Sequence, residues 1–249
     1  MTAEQPEIGG GMQTRAVRVI LMADTSYSMD GARMNALNTA MQEVIPVLRD
    51  SDDENSRGTI EIQALAFSTG ARWVNPTPVN VQQYRWTDLE ADGVTDGGHG
   101  QDRTDMGEGF ALAAEALDEA KMDRNAFPPE GRPPVLILVT DGEPTDDYQA
   151  GLHKLNSQRW AQAAVRAAIS VGTGTNENML REFLGNIEFP LLTANNVDDL
   201  KRFVKYATVA LSSASAQGVS KENDGGAGDG DTTLVIPPPP PSGPPDHVW

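Results

Sequence analysis

The chain reads as an α/β domain: a doubly wound, mostly parallel central sheet of about six strands, one of them an antiparallel edge strand, flanked by helices. Three observations predict this. Strand-length apolar runs at 17–23 (Val-Arg-Val-Ile-Leu-Met-Ala) and 135–140 (Val-Leu-Ile-Leu-Val-Thr) are nearly continuous, as in strands covered on both faces. Segments with apolar residues at helical spacing alternate with such runs, the pattern of strand–helix–strand crossovers. Carboxylate and hydroxyl residues follow directly on the ends of the apolar runs, where open α/β sheets gather their ligands.

In chain order, residues 1–15 are a polar lead-in, 16–214 the domain, and 215–249 an acidic, Gly-rich linker with a Pro-rich tail. The first strand at 17–23 leads to a helix at 33–48, where Met34, Leu37, Met41, Val44, Ile45 and Leu48 share a face. Pro46 is expected to bend or shorten its last turn, with a polar turn at 50–58. Residues 59–67 alternate as a second strand, and 71–79, with Trp73, Val74 and two prolines, suit the edge strand. A long loop rich in Gly and Asp covers 92–105, and a helix is expected over 106–122 with Thr104 as its cap. A stiff connector at 128–134 precedes the strand at 135–140. A helix at 149–162, a strand at 165–172, a short helix at 178–184, a sixth strand at 189–193 and a terminal helix at 197–214 complete the domain. The five-proline run at 237–241 suits an extended, stiff segment. It reads as a docking peptide with Ile236 or Trp249 as anchor, as a spacer, or as a segment folding back on its own domain.

Composition excludes several functions. With 249 residues and no cysteine, disulfides, thiol nucleophiles and zinc–thiolate sites are out of reach. Three histidines, His99, His153 and His247, stand far apart in sequence, which leaves little for a serine–histidine hydrolase or a multi-histidine metal site. A net charge of −17, from 36 acids and 19 bases, repels phosphate backbones, so no nucleic-acid partner is expected. No apolar run approaches the roughly 18–20 residues of a membrane span, and the N-terminus has no signal-peptide pattern. A cytoplasmic protein with no membrane partner is the expectation.

The chemistry concentrates in three places. Asp24-Thr25-Ser26-Tyr27-Ser28 comes straight off the first strand, Thr104 ends the Gly/Asp-rich loop, and Asp141 follows the strand at 135–140. If those two strands are neighbours, two carboxylates and three hydroxyls converge from segments 80 and 37 residues apart. An all-oxygen set of this kind suits a hard divalent cation. Bland readings attach to most neighbours: Asp30 and Gly31 make a turn, Asp105 offsets a helix N-terminus or supports the site from a distance, and Asp146 and Asp147 are solvated or cap the next helix, while His99 and Asp102 are candidate additional ligands.

Asp24-x-Ser26-x-Ser28, Thr104 and Asp141-Gly142 resemble the metal-ion-dependent adhesion site (MIDAS) of von Willebrand factor A domains, over about residues 16–214. That resemblance implies a Rossmann-like fold and a site for Mg²⁺, or Mn²⁺, with Ser26, Ser28 and Thr104 as ligands. Asp24 and Asp141 would act mostly through bound waters, and an acidic group of a partner protein would complete the octahedron. Thr104-Asp105-Met106-Gly107 and Asp141-Gly142-Glu143-Pro144-Thr145-Asp146 are similar to the bacterial tellurium-resistance-associated (TerY-type) members. These imply a stress-response or phospho-signalling setting with a Ser/Thr kinase or protein phosphatase nearby. Tyr27 departs from the glycine usual in the family. The expected function is a metal-dependent protein-interaction module and not an enzyme. The alternatives are a subunit of an AAA+ ATPase (chelatase-like) complex and a metal-assisted phosphohydrolase, the latter opposed by the lack of lysine near the site and of phosphate-binding glycine motifs.

Overall fold

The computed structural model describes residues 16–54, 59–92, 103–118, 121–122, 132–217 and 236–243. The strands are β1 (Val17–Asp24), β2 (Ile60–Ser68), β3 (Gly70–Trp73), β4 (Val79–Asn80), β5 (Val135–Thr140), β6 (Val165–Val171) and β7 (Leu191–Ala194). They form one sheet in the order β3-β2-β1-β5-β6-β7, with β4 also paired to β2. β1, β2, β5, β6 and β7 pair in parallel, while β3 and β4 run antiparallel to β2. The sheet is thus doubly wound, with β1 at its centre beside β5, as the convergence of the three polar segments requires. The single edge strand expected over 71–79 is two short strands, since Pro76 and Pro78 cannot donate to a ladder.

Helices α1 (Ala32–Glu54), α2 (Met106–Ala116), α3 (Tyr148–Asn156), α4 (Arg159–Ala163), α5 (Glu177–Leu184), α6 (Val197–Lys205) and α7 (Leu211–Gln217) cover both faces. Val19 and Leu21 of β1 face a core shared with Leu37, Met41 and Leu48 of α1 and with Leu200, Phe203 and Val204 of α6. Ile20 and Met22 face the other way, towards Phe110 of α2, Leu152 and Leu155 of α3, and Phe183 of α5. This explains the continuous apolar run: every β1 residue from Val19 to Asp24 is buried. No helix among the described residues is long and apolar enough to cross a membrane.

Four expectations about helix extent need correction. α1 runs through Pro46 to Glu54, absorbing the start of the turn expected at 50–58. An interior proline costs about 3 kcal/mol, and the far side of the helix offsets it. Leu48 is fully buried, Arg49 donates to the carbonyls of Val81 (3.0 Å) and Tyr84 (2.6 Å), and the Asp52 carboxylate accepts from Ile60 N–H at 2.6 Å. α2 ends at Ala116 and not near 122. The helix expected over 149–162 is broken into α3 and α4, because Ser157 turns its hydroxyl back onto the Lys154 carbonyl (2.6 Å) and Gln158 is extended. The terminal helix passes through a π-helical turn at Tyr206–Ala210 and ends at Gln217. The lead-in, the connector at 128–131, the linker at 218–235 and Trp249 lie outside the described residues.

α2 and α3 pack backbone to backbone. A β-carbon on Gly151 would lie 2.0 Å from the Gly107 carbonyl oxygen, and one on Gly107 would lie 2.6 Å from the Asp147 carbonyl oxygen. The obstacle is main chain on both sides, which cannot swing away. Gly151→Ala is therefore expected to destabilise the fold by roughly 3 kcal/mol, the upper end of ordinary overpacking. Urea unfolding, with an unchanged slope and a lowered midpoint, measures it.

Candidate metal centre

Parallel pairing sets Ala23 opposite Val139, so the next residues, Asp24 and Thr140, stand side by side at the carboxyl edge of the sheet. Both are fully buried. The Thr140 hydroxyl donates to Asp24 Oδ2 at 2.5 Å, and Ser26 N–H donates to Asp24 Oδ1 at 2.8 Å. Burial raises the Asp24 pKa to about 6; the hydrogen bonds from Ser26 and Thr140 oppose the rise, and the nearby Asp141 charge adds to it.

The loop after β1 tightens into a 3-10 turn at Tyr27–Met29, which brings its two serine hydroxyls together. Ser26 Oγ and Ser28 Oγ are 3.0 Å apart, and Ser28 Oγ donates to Asp141 Oδ1 at 2.7 Å. Tyr27, between them, is 52% exposed. Gly142 then leaves room: a β-carbon built there would sit 3.3 Å from Thr104 Oγ1, 3.7 Å from Asp24 Oδ2 and 3.9 Å from Ser28 Oγ. Oxygens from three loops thus face one small volume. The five residues singled out in the sequence, Asp24, Ser26, Ser28, Thr104 and Asp141, come together here. The donors are hydroxyl and carboxylate oxygens, the set a hard divalent cation accepts. Among the described residues no cluster of three or more His, Cys, Asp or Glu offers a different kind of metal site. His99 and Asp102 lie outside the described residues.

Thr104 does not cap α2. Asp105 takes the N-cap position without a side-chain cap bond, and Asp146 supplies the cap from another loop, its carboxylate accepting from Gly107 N–H and Glu108 N–H at 3.0 Å each. Asp147 caps its own helix, α3, by accepting from Ala150 N–H at 3.1 Å. Thr104 is instead paired with Thr145 in both directions: Thr104 N–H donates to Thr145 Oγ1 (2.9 Å) and Thr145 N–H to the Thr104 carbonyl (3.0 Å). Asp105, nearly buried, accepts from Arg103 (2.8 and 3.1 Å), Thr145 Oγ1 (3.3 Å) and Gly70 N–H (2.8 Å). Burial works to raise its pKa, but these donors hold it below the usual carboxylate range.

Two residues were not legible as members of the site. Arg33, in the first turn of α1, donates to Asp141 Oδ2 and, at 3.1 Å, to the Ser28 carbonyl. Only its place five residues after Ser28, one helical turn from the loop, hinted at this. Asp92 accepts from Thr25 Oγ1 (3.1 Å) and Ser68 Oγ (2.8 Å), and its N–H donates to the Thr25 carbonyl (2.6 Å), tying the start of the Gly/Asp-rich segment to the β1 loop. Its signal was confined to being one of several aspartates in that segment.

A family model for the von Willebrand factor type A domain matches residues 19–205. Inter-alpha-trypsin inhibitor heavy chain H6 of Homo sapiens is 27% identical over 135 residues, 54% of this chain and 10% of that protein. Proximal thread matrix protein 1 from the mussel byssus, in a structure with a zinc-occupied MIDAS motif, matches with a TM-score of 0.54 and 20% identity over 80% of this chain and 48% of that one. A von Willebrand factor type A protein from Catenulispora acidiphila gives 0.52 and 20% over 78% of this chain and 43% of that one. This chain therefore spans a tenth of the human relative and under half of these solved chains, and at such identities the structural likeness is one of fold.

Asp146 holds the N-terminus of α2 and so the position of Thr104 against the Asp141 loop. Asp146→Ala is expected to cost about 1 kcal/mol, the usual loss on removing a cap. Thermal unfolding measures the cost, and faster hydrogen exchange at Gly107 N–H localises it.

Proposed function

The chain belongs to the von Willebrand factor type A domain family, and from that premise we propose that it is a metal-dependent protein-interaction module. In this reading Asp24, Ser26, Ser28, Thr104 and Asp141 hold one divalent cation. Mg²⁺ fits the hardness of the donors, with Mn²⁺ as a substitute. The observation that carries the reading is the volume over Gly142, faced by oxygens of Asp24, Ser28 and Thr104. Ser26, Ser28 and Thr104 offer neutral hydroxyls as ligands, and the two aspartates balance the charge directly or through water. When bound, the cation supplies an open, Lewis-acidic position for a carboxylate.

The chain's own residues prepare that position. Thr140 and the Ser26 N–H fix Asp24, Ser28 is aligned by Asp141, and Thr104 is fixed through its backbone by Thr145. Exposed Tyr27 offers an aromatic surface beside it, suited to a partner's apolar rim. The partner is a protein offering an acidic group. The setting is a cytoplasmic, bacterial stress-response or phospho-signalling system with a Ser/Thr kinase or protein phosphatase as candidate partner, a reading supported by the likeness of the Thr104 and Asp141 segments to the tellurium-resistance-associated group. The module extends over residues 16–214 and acts as scaffold or regulator, without catalysis of its own.

Affinity capture with the wild-type chain, with and without EDTA, and with Asp24→Ala tests this. A partner retained only by the wild type in the presence of Mg²⁺ supports it, and a partner retained under all conditions sinks the metal-dependent version. Recovery of an ATPase in place of a kinase or phosphatase would redirect the assignment to an ATPase-driven complex. Gly142→Ala, which puts a methyl group into the proposed cation volume, is expected to weaken Mg²⁺ binding at least tenfold by calorimetry while the melting temperature stays within a few degrees. Arg33→Gln acts in the opposite direction. It frees Asp141 from its ion pair, a partly exposed contact of about 1 kcal/mol, so the Mg²⁺ affinity is expected to rise about fivefold in the same calorimetric titration.

A further inference from the structure

On the α6 side of the sheet, residues 236–243 lie along the outer surface of α6 in a manner the metal site does not account for. Ile236, like Tyr206 and Val209, packs against the apolar core on that side of the sheet. The Tyr206 hydroxyl, at the C-terminal end of α6, donates to the Pro237 carbonyl at 2.6 Å. At the other end, Gly243 N–H donates to Asp199 Oδ1 at 2.9 Å in the first turn of α6. The segment therefore runs from the end of the helix back to its beginning. Within it Ile236, Pro240 and Gly243 are half-buried, while Pro237, Pro238, Pro239, Pro241 and Ser242 are exposed. A run of five prolines favours the extended polyproline II conformation, and its mixed exposure is that of a strand touching α6 along one edge.

The polar groups on the two sides are complementary. A proline run carries carbonyls but no N–H groups, and α6 meets it with a donor, Tyr206. The acceptor, Asp199, is kept for Gly243, which does have an N–H. Asp199 is fully buried. Besides Gly243 it accepts from Arg202 through the same oxygen, and from Asn196 Nδ2 (3.3 Å) and Asn195 N–H (3.5 Å) through the other. A buried carboxylate of this kind needs its donors, and one of them comes from the tail. The approach is close: a β-carbon on Gly243 would lie 3.2 Å from Arg202 Nη2 and 3.4 Å from Asp199 Oδ1.

We propose that the surface of α6 from Asp199 to Tyr206 is a receptor site for a proline-rich strand, and that residues 236–243 of the same chain are its resident ligand, bound in cis. A stiff strand loses little conformational freedom on docking, so two hydrogen bonds and one apolar anchor suffice to hold it when the effective concentration is that of a tethered segment. Because the ligand is covalently attached, a free proline-rich peptide competes for the site only after the tail is loosened.

The test uses the full chain. In the wild type the Gly243 amide should exchange with solvent at least tenfold more slowly than in a free peptide of residues 236–243. Gly243→Pro removes that donor and leaves the domain's own contacts intact. The fluorescently labelled 236–243 peptide should then bind the Gly243→Pro chain at least tenfold more tightly than it binds the wild type, and adding Tyr206→Phe should reverse most of the gain. Free-peptide exchange at Gly243, or equal peptide binding to wild type and Gly243→Pro, overturns the proposal. So does Gly243 protection that grows with protein concentration together with a dimer in light scattering, since the strand would then belong to a second copy.

Discussion

The hydrogen bond from Thr140 to Asp24 joins the two central strands at the point where the sheet meets solvent. It exists because β1 and β5 pair in parallel with a register that sets Ala23 against Val139. The pairing in turn requires both faces of both strands to be buried, which the two helical layers achieve. A carboxylate fixed so deep resists ionisation, as the rise of its pKa to about 6 expresses. At neutral pH an ionised Asp24 calls for positive charge nearby, and the rest of the edge can be read as the means of admitting it. Arg33 sits on Asp141, the hydroxyls of Ser28 and Thr104 point to the same volume, and Gly142 keeps that volume clear.

Loops at a sheet edge are the mobile parts of most α/β folds, yet here they are stitched to one another before any ligand arrives. The Thr104–Thr145 pair, the Asp146 cap on α2 and the Asp105 hub tie two loops into one unit. That unit depends on α2 approaching α3 closely enough for Asp146 to reach Gly107, and the approach depends on glycine at 107 and 151. Packing beside the site thus bears on the separation of its oxygens, and metal sites lose affinity quickly when supporting groups are left loose.

The sequence made the five oxygen-bearing positions legible because each stands at a place with its own local signal. Asp24 and Asp141 end apolar runs, Ser26 and Ser28 repeat at a spacing of two, and Thr104 closes a glycine-rich loop just before a helical pattern. Asp146, Asp92 and Arg33 carried no such signal. Their partners lie 39, 67 and 108 residues away, and an aspartate that caps a distant helix looks in sequence like one that is solvated. Pro46 misled for a related reason: local propensity shortens the helix, while Leu48, Arg49 and Asp52 spend tertiary contacts to extend it. The tail was legible as stiff and proline-rich, but the choice between docking elsewhere and folding back rested on Tyr206 and Asp199, to which no local pattern pointed.

The balance of charge explains why such a site would favour an acidic partner only when a cation is present. Asp24, Asp141 and Arg33 together carry a formal charge of −1, and the whole chain carries −17. An approaching carboxylate meets repulsion from both, although the distant part is screened within about 8–10 Å at physiological salt. What decides binding is therefore the charge within that distance. A divalent cation changes the charge of that innermost group from −1 to +1 while the chain as a whole stays strongly acidic. Hydroxyl ligands matter for the same reason: had Ser26, Ser28 or Thr104 been a further carboxylate, the cation would be bound more tightly but neutralised, with less attraction left for the partner. In the proposed centre the mixture of two acids and three hydroxyls would therefore trade ion affinity for the ability to attract a carboxylate, and Asp24, whose burial raises its pKa to about 6, would be ionised at neutral pH most readily with a cation beside it.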